Sequence, residues 1–303
     1  MIDSKITGSF SMLDFCWDQY CGYAAAAREQ KASQKKWQMI VLYLTIFGAA
    51  FGVLSQNLAG YEILSKVIGI VSGITIGLSA YFSKEFIKSE KVRLGVQARS
   101  AAEAFKAEAY LYATGTYPYN TPNASKDLKK RVEELEKKIT GFTPKHLSDS
   151  KKKSKPPHPM PIKDYIKNRV KEQIRNYYIP MANRNERYAD RWNRVRWVLG
   201  VAAVVLGVFS GAGFSGYIGG WVAVIGAAIT AVAAHLSAGR YNYLVLSYRA
   251  TAQRLKIILS EWGDKIINDQ ELVRKCEDTI SIENKVWLAE WSKEKELPEE
   301  EEL

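Results

Sequence analysis

The chain has 303 residues and a net charge of +11, and its mean hydropathy of −0.21 reads as that of a soluble protein. That average conceals four apolar stretches, roughly 37–54, 63–82, 197–214 and 217–236, with no charged residue at any centre apart from Lys66 near the start of the second. A bilayer core of about 30 Å takes about 20 apolar residues of helix, so the stretches fit membrane spans; they exclude most soluble enzymes and leave no room for a large separate catalytic domain.

In chain order, residues 1–36 read as a water-side helix entering the first span, with alanines at 24–27 and no proline. No signal peptide opens the sequence, so the first span is expected to act as its own insertion signal. The loops within the two hairpins, 55–62 and 210–216, are short and nearly uncharged. Positive charge flanks the other ends: Lys31, Lys35 and Lys36; Lys84, Lys88, Lys91 and Arg93; Arg187, Arg191, Arg194 and Arg196; Arg240, Arg249, Arg254 and Lys256. Positive flanks stay cytoplasmic, which predicts a multi-pass membrane protein with both hairpin tips outside and both termini in the cytoplasm. The lipid bilayer is the expected partner, anionic head groups included, and nucleic acid is not, because the charge follows the spans rather than one soluble patch. Trp37, Tyr61, Tyr81, Trp197, Tyr217, Trp221 and Tyr241 fall at the membrane boundaries, where head-group contact and ordinary packing both account for them.

Helix is expected to run on from the second span to residue 113, about 75 Å at 1.5 Å per residue. Gly115 then reads as its cap and Pro118 as a stop. Residues 127–139 form an amphipathic packing helix with Leu128, Val132, Leu135 and Ile139 on one face. Residues 148–161, with lysines at 151–153 and 155 and four prolines, read as a flexible linker. The fourth span is expected to continue through Arg240, Tyr248 and Leu255 to Trp262. A last helix, 265–296, carries Leu272, Cys276, Ile280, Trp287 and Trp291 on one stripe.

The halves align at an offset of about 150: the segment RSAAEAFK from Arg99 matches RATAQRLK from Arg249. The orientation is the same in both, which makes a parallel repeat. The predicted fold is an all-α membrane protein of two tandem two-transmembrane hairpins with long cytoplasmic helical extensions. Its divisions are a first unit (1–147), the linker (148–161), a second unit (162–296) and an acidic tail (297–303). Such a covalent dimer of hairpins suits a homo-oligomer around an axis.

No catalytic residue, cofactor or metal is expected. His146, His158 and His235 and the three cysteines, Cys16, Cys21 and Cys276, lack ligand spacing, and there is no phosphate loop or nucleophile elbow. Glu133 and Glu134 lie on a solvent face. The second span carries the sharpest local signal. Gly69, Gly73 and Gly77 allow close helix approach. Beside them Ser65, Ser72, Thr75 and Ser79 form a stripe that either lines a water-filled path or bonds its own helix carbonyls. Gly48 with Gly52, and Gly207 with Gly211, read as helix packing. Ala223, Ala227 and Ala231 repeat the small-residue spacing in the fourth span, with Thr230 and Ser237 nearby. His235, near the inner end of that span, is either a proton-sensitive gate or an interfacial side chain. The spans lack the buried acid–base pairs of a pump.

The segment QARSAAEAFKAEAYLYATGTYPY, from Gln97 to Tyr119, follows a two-span hairpin and resembles the SLATT family. These are bacterial two-transmembrane effectors associated with SMODS and SLOG nucleotide-signal domains. The second half, with Arg249 to Trp262 and then CEDTISIENKVW from Cys276, resembles another member type. The resemblance implies a pore-forming effector of bacterial defence, opened by stress or by a nucleotide-signalling partner protein. Arg99 and Glu103 of the motif form an i,i+4 pair on a helix. The expected function is an oligomeric ion channel; the alternative is a non-conducting scaffold or stress sensor that recruits cytosolic partners.

Overall fold

The computed structural model describes residues 11–86, 89–139, 155–213 and 215–293, and every regular element among them is helical. The elements are α1 (Met12–Asn57), α2 (Glu62–Phe86), α3 (Ser89–Ala113), α4 (Ala124–Lys138), α5 (Ile162–Tyr165), α6 (Ile179–Gly211), α7 (Ser215–Gly239), α8 (Tyr241–Gly263) and α9 (Asp269–Lys293). Two π-helical segments, Ile166–Lys171 and Gln173–Tyr178, join α5 to α6. Pro180, just inside α6, has no N–H to donate, and the widened turns lie directly before it. Four helical runs are long and apolar enough to cross a bilayer. Lys88, His146, the lysines at 151–153 and the acidic tail lie outside the described residues, as do the side chains of Lys91, Tyr217, Trp287 and Trp291.

The chain divides into compact units that cut across its two halves. One, the polar unit, comprises residues 1–31, 92–180 and 247–303; the other, the span unit, comprises 32–91 and 181–246. In the polar unit, Cys16, Trp17, Cys21 and Tyr23 of α1 pack on Ala98, Ala101, Ala102 and Phe105 of α3, with Leu128 and Val132 of α4. The run of alanines on α3 lets α1 approach closely, and the Tyr23 and Phe105 rings stack at 5.6 Å. Phe105 is fully buried, which contributes about 2–3 kcal/mol. Leu272, Cys276 and Ile280 of α9 are buried as their stripe predicts, and so are Leu128 and Val132 of α4.

The helix caps carry the repeat. Gly115 takes a left-handed conformation (φ 61°), with Gly115 N–H donating to Tyr112 O and Thr116 N–H to Leu111 O. One repeat later, Lys265 takes the same conformation (φ 60°), with Lys265 N–H on Trp262 O and Ile266 N–H on Glu261 O. Both are Schellman caps, spaced by the repeat offset. The helix ends at Gly263, and the left-handed cap residue two positions on is a lysine, which adopts the strained conformation glycine adopts freely.

Two expectations change. The fourth span does not run unbroken to Trp262: α7 ends at Gly239, Arg240 has a positive φ of 46°, and α8 starts at Tyr241. Glycine is a poor helix residue, and the break falls directly after it. The described part of the linker is also tied down, because Met160 N–H donates to Ala113 O at the end of α3 and Pro157 is buried.

Candidate functional site

The span unit carries the residues singled out in the sequence. In the first hairpin, α1 and α2 close through three polar rungs. Ser55 and Ser65 each donate to the other's carbonyl, at 2.7 and 2.8 Å. Ser72 Oγ donates to Gly48 O at 2.7 Å. Ser79 Oγ lies 2.7 Å from Thr45 Oγ1 and 3.3 Å from Val41 O. Positions 41, 48 and 55 on one helix meet 79, 72 and 65 on the other, in an antiparallel heptad register centred on Gly60 in the turn. Sevenfold spacing keeps one face of each helix turned to its partner. Inside a bilayer such hydroxyl-to-carbonyl bonds hold helices without exposing an unsatisfied group to lipid.

This geometry exchanges the roles expected for the two stripes of α2. Ser72 and Ser79 are buried in the seam, so within one chain their hydroxyls serve packing. Ser65 belongs to the same seam. Thr75, at the seam's edge, donates back to Val71 O of its own helix at 2.6 Å. Among the glycines, a Cβ on Gly69 would meet Ser55 Oγ at 3.0 Å, whereas one on Gly73 or Gly77 would meet nothing within 4 Å among the described residues. The glycine row is thus partly an open face. Gly48 packs closely, its would-be Cβ 2.6 Å from Ile76 Cγ1, and Gly52 faces Ser72 Oγ at 3.2 Å. A Cβ on Gly207 or Gly211 would meet nothing within 4 Å among the described residues.

The second hairpin is closed differently. At the repeat offset Ser72 and Ser79 become Val222 and Ile229, and Gly69, Gly73 and Gly77 become Gly219, Ala223 and Ala227. The small row persists while two of the hydroxyl rungs disappear. Thr230 donates back to Gly226 O. Gly220 lies close to Val53 of α1, with a would-be Cβ 2.8 Å from Val53 Cγ1. His235 is buried, and its Nε2 is 3.1 Å from Tyr188 Oη on α6, inside a group of rings from Tyr188, Trp192 and Tyr241. Lys35 Nζ sits 5.1 Å from the centre of the Tyr188 ring. The histidine thus fastens α7 to α6 at one end of the hairpin. Trp37 stacks on Phe86 at 3.9 Å, so its ring is engaged in packing, while Tyr61, Tyr81 and Trp197 are exposed.

The polar unit holds a buried charge cluster that sequence reasoning missed. Arg169, in a π-helical turn, donates from Nε and Nη2 to the two carboxylate oxygens of Glu277 on α9, at 2.9 and 2.8 Å. Tyr165 Oη donates to the same carboxylate at 2.9 Å. Arg169 also lies over the Tyr110 ring at 4.7 Å and 3.8 Å from Glu103. Burial lowers the Arg169 pKa, but the adjacent Glu277 outweighs it and holds the guanidinium charged. Lys106, over the Tyr20 ring, is pulled down to about 8 by burial and then by Arg169. Burial pushes the Cys16 and Cys276 thiols up to about 12, which keeps them unreactive. A second buried carboxylate, Glu108, accepts from Tyr119 Oη at 2.6 Å and Arg131 Nε at 2.9 Å. Arg99, expected to pair along its helix, bonds the Tyr177 hydroxyl and lies over that ring. The detectable signal was an arginine and a glutamate on otherwise apolar helical faces, 108 residues apart. Among the described residues no His, Cys, Asp and Glu side chains group to hold a metal ion.

Residues 165–287 match the family model described as SMODS and SLOG-associating 2TM effector domain 1. Residues 22–127 match a model described as a protein of unknown function, DUF4231. No curated protein and no solved structure matches the chain.

Proposed function

The second half of the chain belongs to the SLATT effector family, and from that premise we propose that several copies assemble into an ion-conducting pore in the bacterial inner membrane, as an effector of defence or stress. The observation that carries this reading is how little of the spans one chain covers. On α2, Ile63, Ile70 and Ile74 are exposed, and on α6 so are Val198, Val204 and Val208. Span surfaces left this open leave room for neighbouring chains to supply the walls of a conducting path. Gly73 and Gly77 offer an open surface where a neighbouring copy's helix can come close.

In this reading the open glycine face joins copies, and the hydroxyls of Ser65, Ser72 and Ser79 brace the first hairpin, with Thr75 next to the path. Both termini lie in the cytoplasm, where a nucleotide-signalling partner would act. His235, fastened to Tyr188, would gate by letting α7 leave α6. The test is potassium efflux from liposomes holding the purified chain, alongside its mass in detergent. An oligomer that leaks potassium is expected, and Gly73→Leu with Gly77→Leu should abolish both assembly and leak while the hairpin stays folded. An oligomer that holds the gradient under every trigger tried sinks the pore and leaves the scaffold reading. Assembly unaffected by the double substitution sinks the interface.

A further inference from the structure

One face of α6 carries a shallow, open trough between its own side chains, basic at one end and apolar along the rest. Its first part, about 440 Å³, is formed by Arg191, Arg194, Val195, Val198 and Leu199. Its second part, about 430 Å³, continues past Val198 along Val201, Ala202, Val205 and Leu206. From Arg191 to Leu206 the helix rises about 22 Å, enough for one head group and an acyl chain reaching across about half of a 30 Å core. Neither guanidinium carries an ion pair among the described residues, and Asp190 is the nearest acid in sequence to both. Trp197, at the boundary between the two parts, is 71% exposed.

We propose that this open trough is a binding site for an anionic phospholipid. Arg191 and Arg194 present planar forks of N–H donors that match phosphate oxygens, and a zwitterionic head group would bring its own cation against them. Their apolar stems lie along the helix while the charged heads reach the head-group layer. The Trp197 indole suits the zone between glycerol and chain. The valine-lined trough takes the acyl chain, which a water-soluble phosphate would leave empty. The site is independent of the pore reading, since a scaffold would hold the same lipid.

Native mass spectrometry of the full chain, released from bilayers of equal phosphatidylglycerol and phosphatidylcholine, tests this. One phosphatidylglycerol retained per chain is expected. Arg191→Gln with Arg194→Gln should lower that preference about tenfold or more, the scale of two basic contacts at a membrane surface. Val201→Trp, which fills the trough without changing charge, should lower retention of the lipid as well. Lys130→Gln with Lys137→Gln on α4 removes equal charge and should leave retention unchanged. The proposal is overturned if the arginine pair changes nothing, if the α4 pair has the same effect, or if glycerol phosphate displaces the lipid. Cross-linking between chains through Val201→Cys would place a second copy in the trough and overturn it too.

Discussion

The two compact units hold their helices together by opposite means. The polar unit buries full charges: Arg169 and Glu277 are each at most 3% exposed and meet through two hydrogen bonds. The span unit joins its first hairpin with neutral hydroxyls on backbone carbonyls. The difference follows from what each unit can lean on. In water, a large apolar core drives packing and can carry the desolvation cost of one ion pair, which in turn fixes how its helices meet. In a bilayer the tails are as apolar as the side chains, so association rests on close packing and on weak polar bonds. Breaking a tie should therefore be severe in the polar unit and mild in the span unit.

The largest effect is expected from Glu277→Ala. It strips the partner from a buried guanidinium and leaves the Tyr165 hydroxyl without its acceptor, at a cost of about 3–5 kcal/mol. Arg169→Met combined with Glu277→Leu should be milder, because no charge is left unpaired at the fully buried positions and only Glu103, 18% exposed, loses its arginine. Denaturant unfolding of the polar unit, followed by near-ultraviolet circular dichroism in detergent, compares the two. Equal losses would mean that the charge is not what matters.

Gly48→Leu comes next, as the exception that shows where the span unit is tight. Its side chain would drive into Ile76, and overpacking of this kind costs about 1–3 kcal/mol. Gly73→Leu should leave the stability of a monomeric hairpin unchanged, since its Cβ position is open. Thermal unfolding of each variant in detergent at low protein concentration measures the contrast, and similar losses at both positions would erase it.

Much of the architecture was legible in the sequence because the bilayer writes in long uniform strokes: four apolar stretches, charge at their flanks, a repeat at an offset of about 150. The repeated cap at Gly115 and Lys265 shows how far that offset extends into backbone geometry. What could not be read was which way each stripe of α2 turns. Ser72 and Gly73 are adjacent in sequence and about 100° apart on the helix, so periodicity defines two faces without saying which meets α1. That is settled by tertiary register, through rungs that pair residues across the Gly60 turn. The Arg169–Glu277 pair was hidden for a similar reason. Each lies on a helix rich in charge, and only contact over 108 residues separates a buried ion from a solvated one. The break at Arg240 gave no proline to warn of it.

Lys106 offers a pH readout confined to the polar unit. Its ordinary value of 10.5 is lowered to about 8 by burial and Arg169, so the folded state resists the charged form. Below pH 8 the lysine is protonated whether the unit is folded or not, and the full penalty is present. As pH rises above 8 the folded state sheds its proton while the unfolded chain still holds one, so stability should increase towards pH 10. A shift of this size corresponds to about 3 kcal/mol. Lys106→Met should lack that rise, and melting temperatures between pH 7.5 and 9.5 compare the two, below the range where tyrosines ionise. Parallel curves would show that Lys106 titrates normally.

The smallest effect is expected from Ser72→Ala, although its bond is as short as any in the seam. The Gly48 carbonyl that accepts it lies inside α1, where the helix ladder already uses that oxygen, so removing the hydroxyl leaves no orphaned group. Polar bonds between spans are worth about 0.6 kcal/mol on average and seldom above about 1.7. Ser79→Ala should cost no more, because Thr45 keeps its bond to Val41 O at 2.9 Å. The two substitutions together should be close to additive, since the rungs are two helical turns apart. Detergent unfolding of the single and double variants decides this: a loss approaching that of Glu277→Ala would mean that the rungs act as one cooperative unit, and that the span unit is held by polar bonds as firmly as the polar unit is by charge.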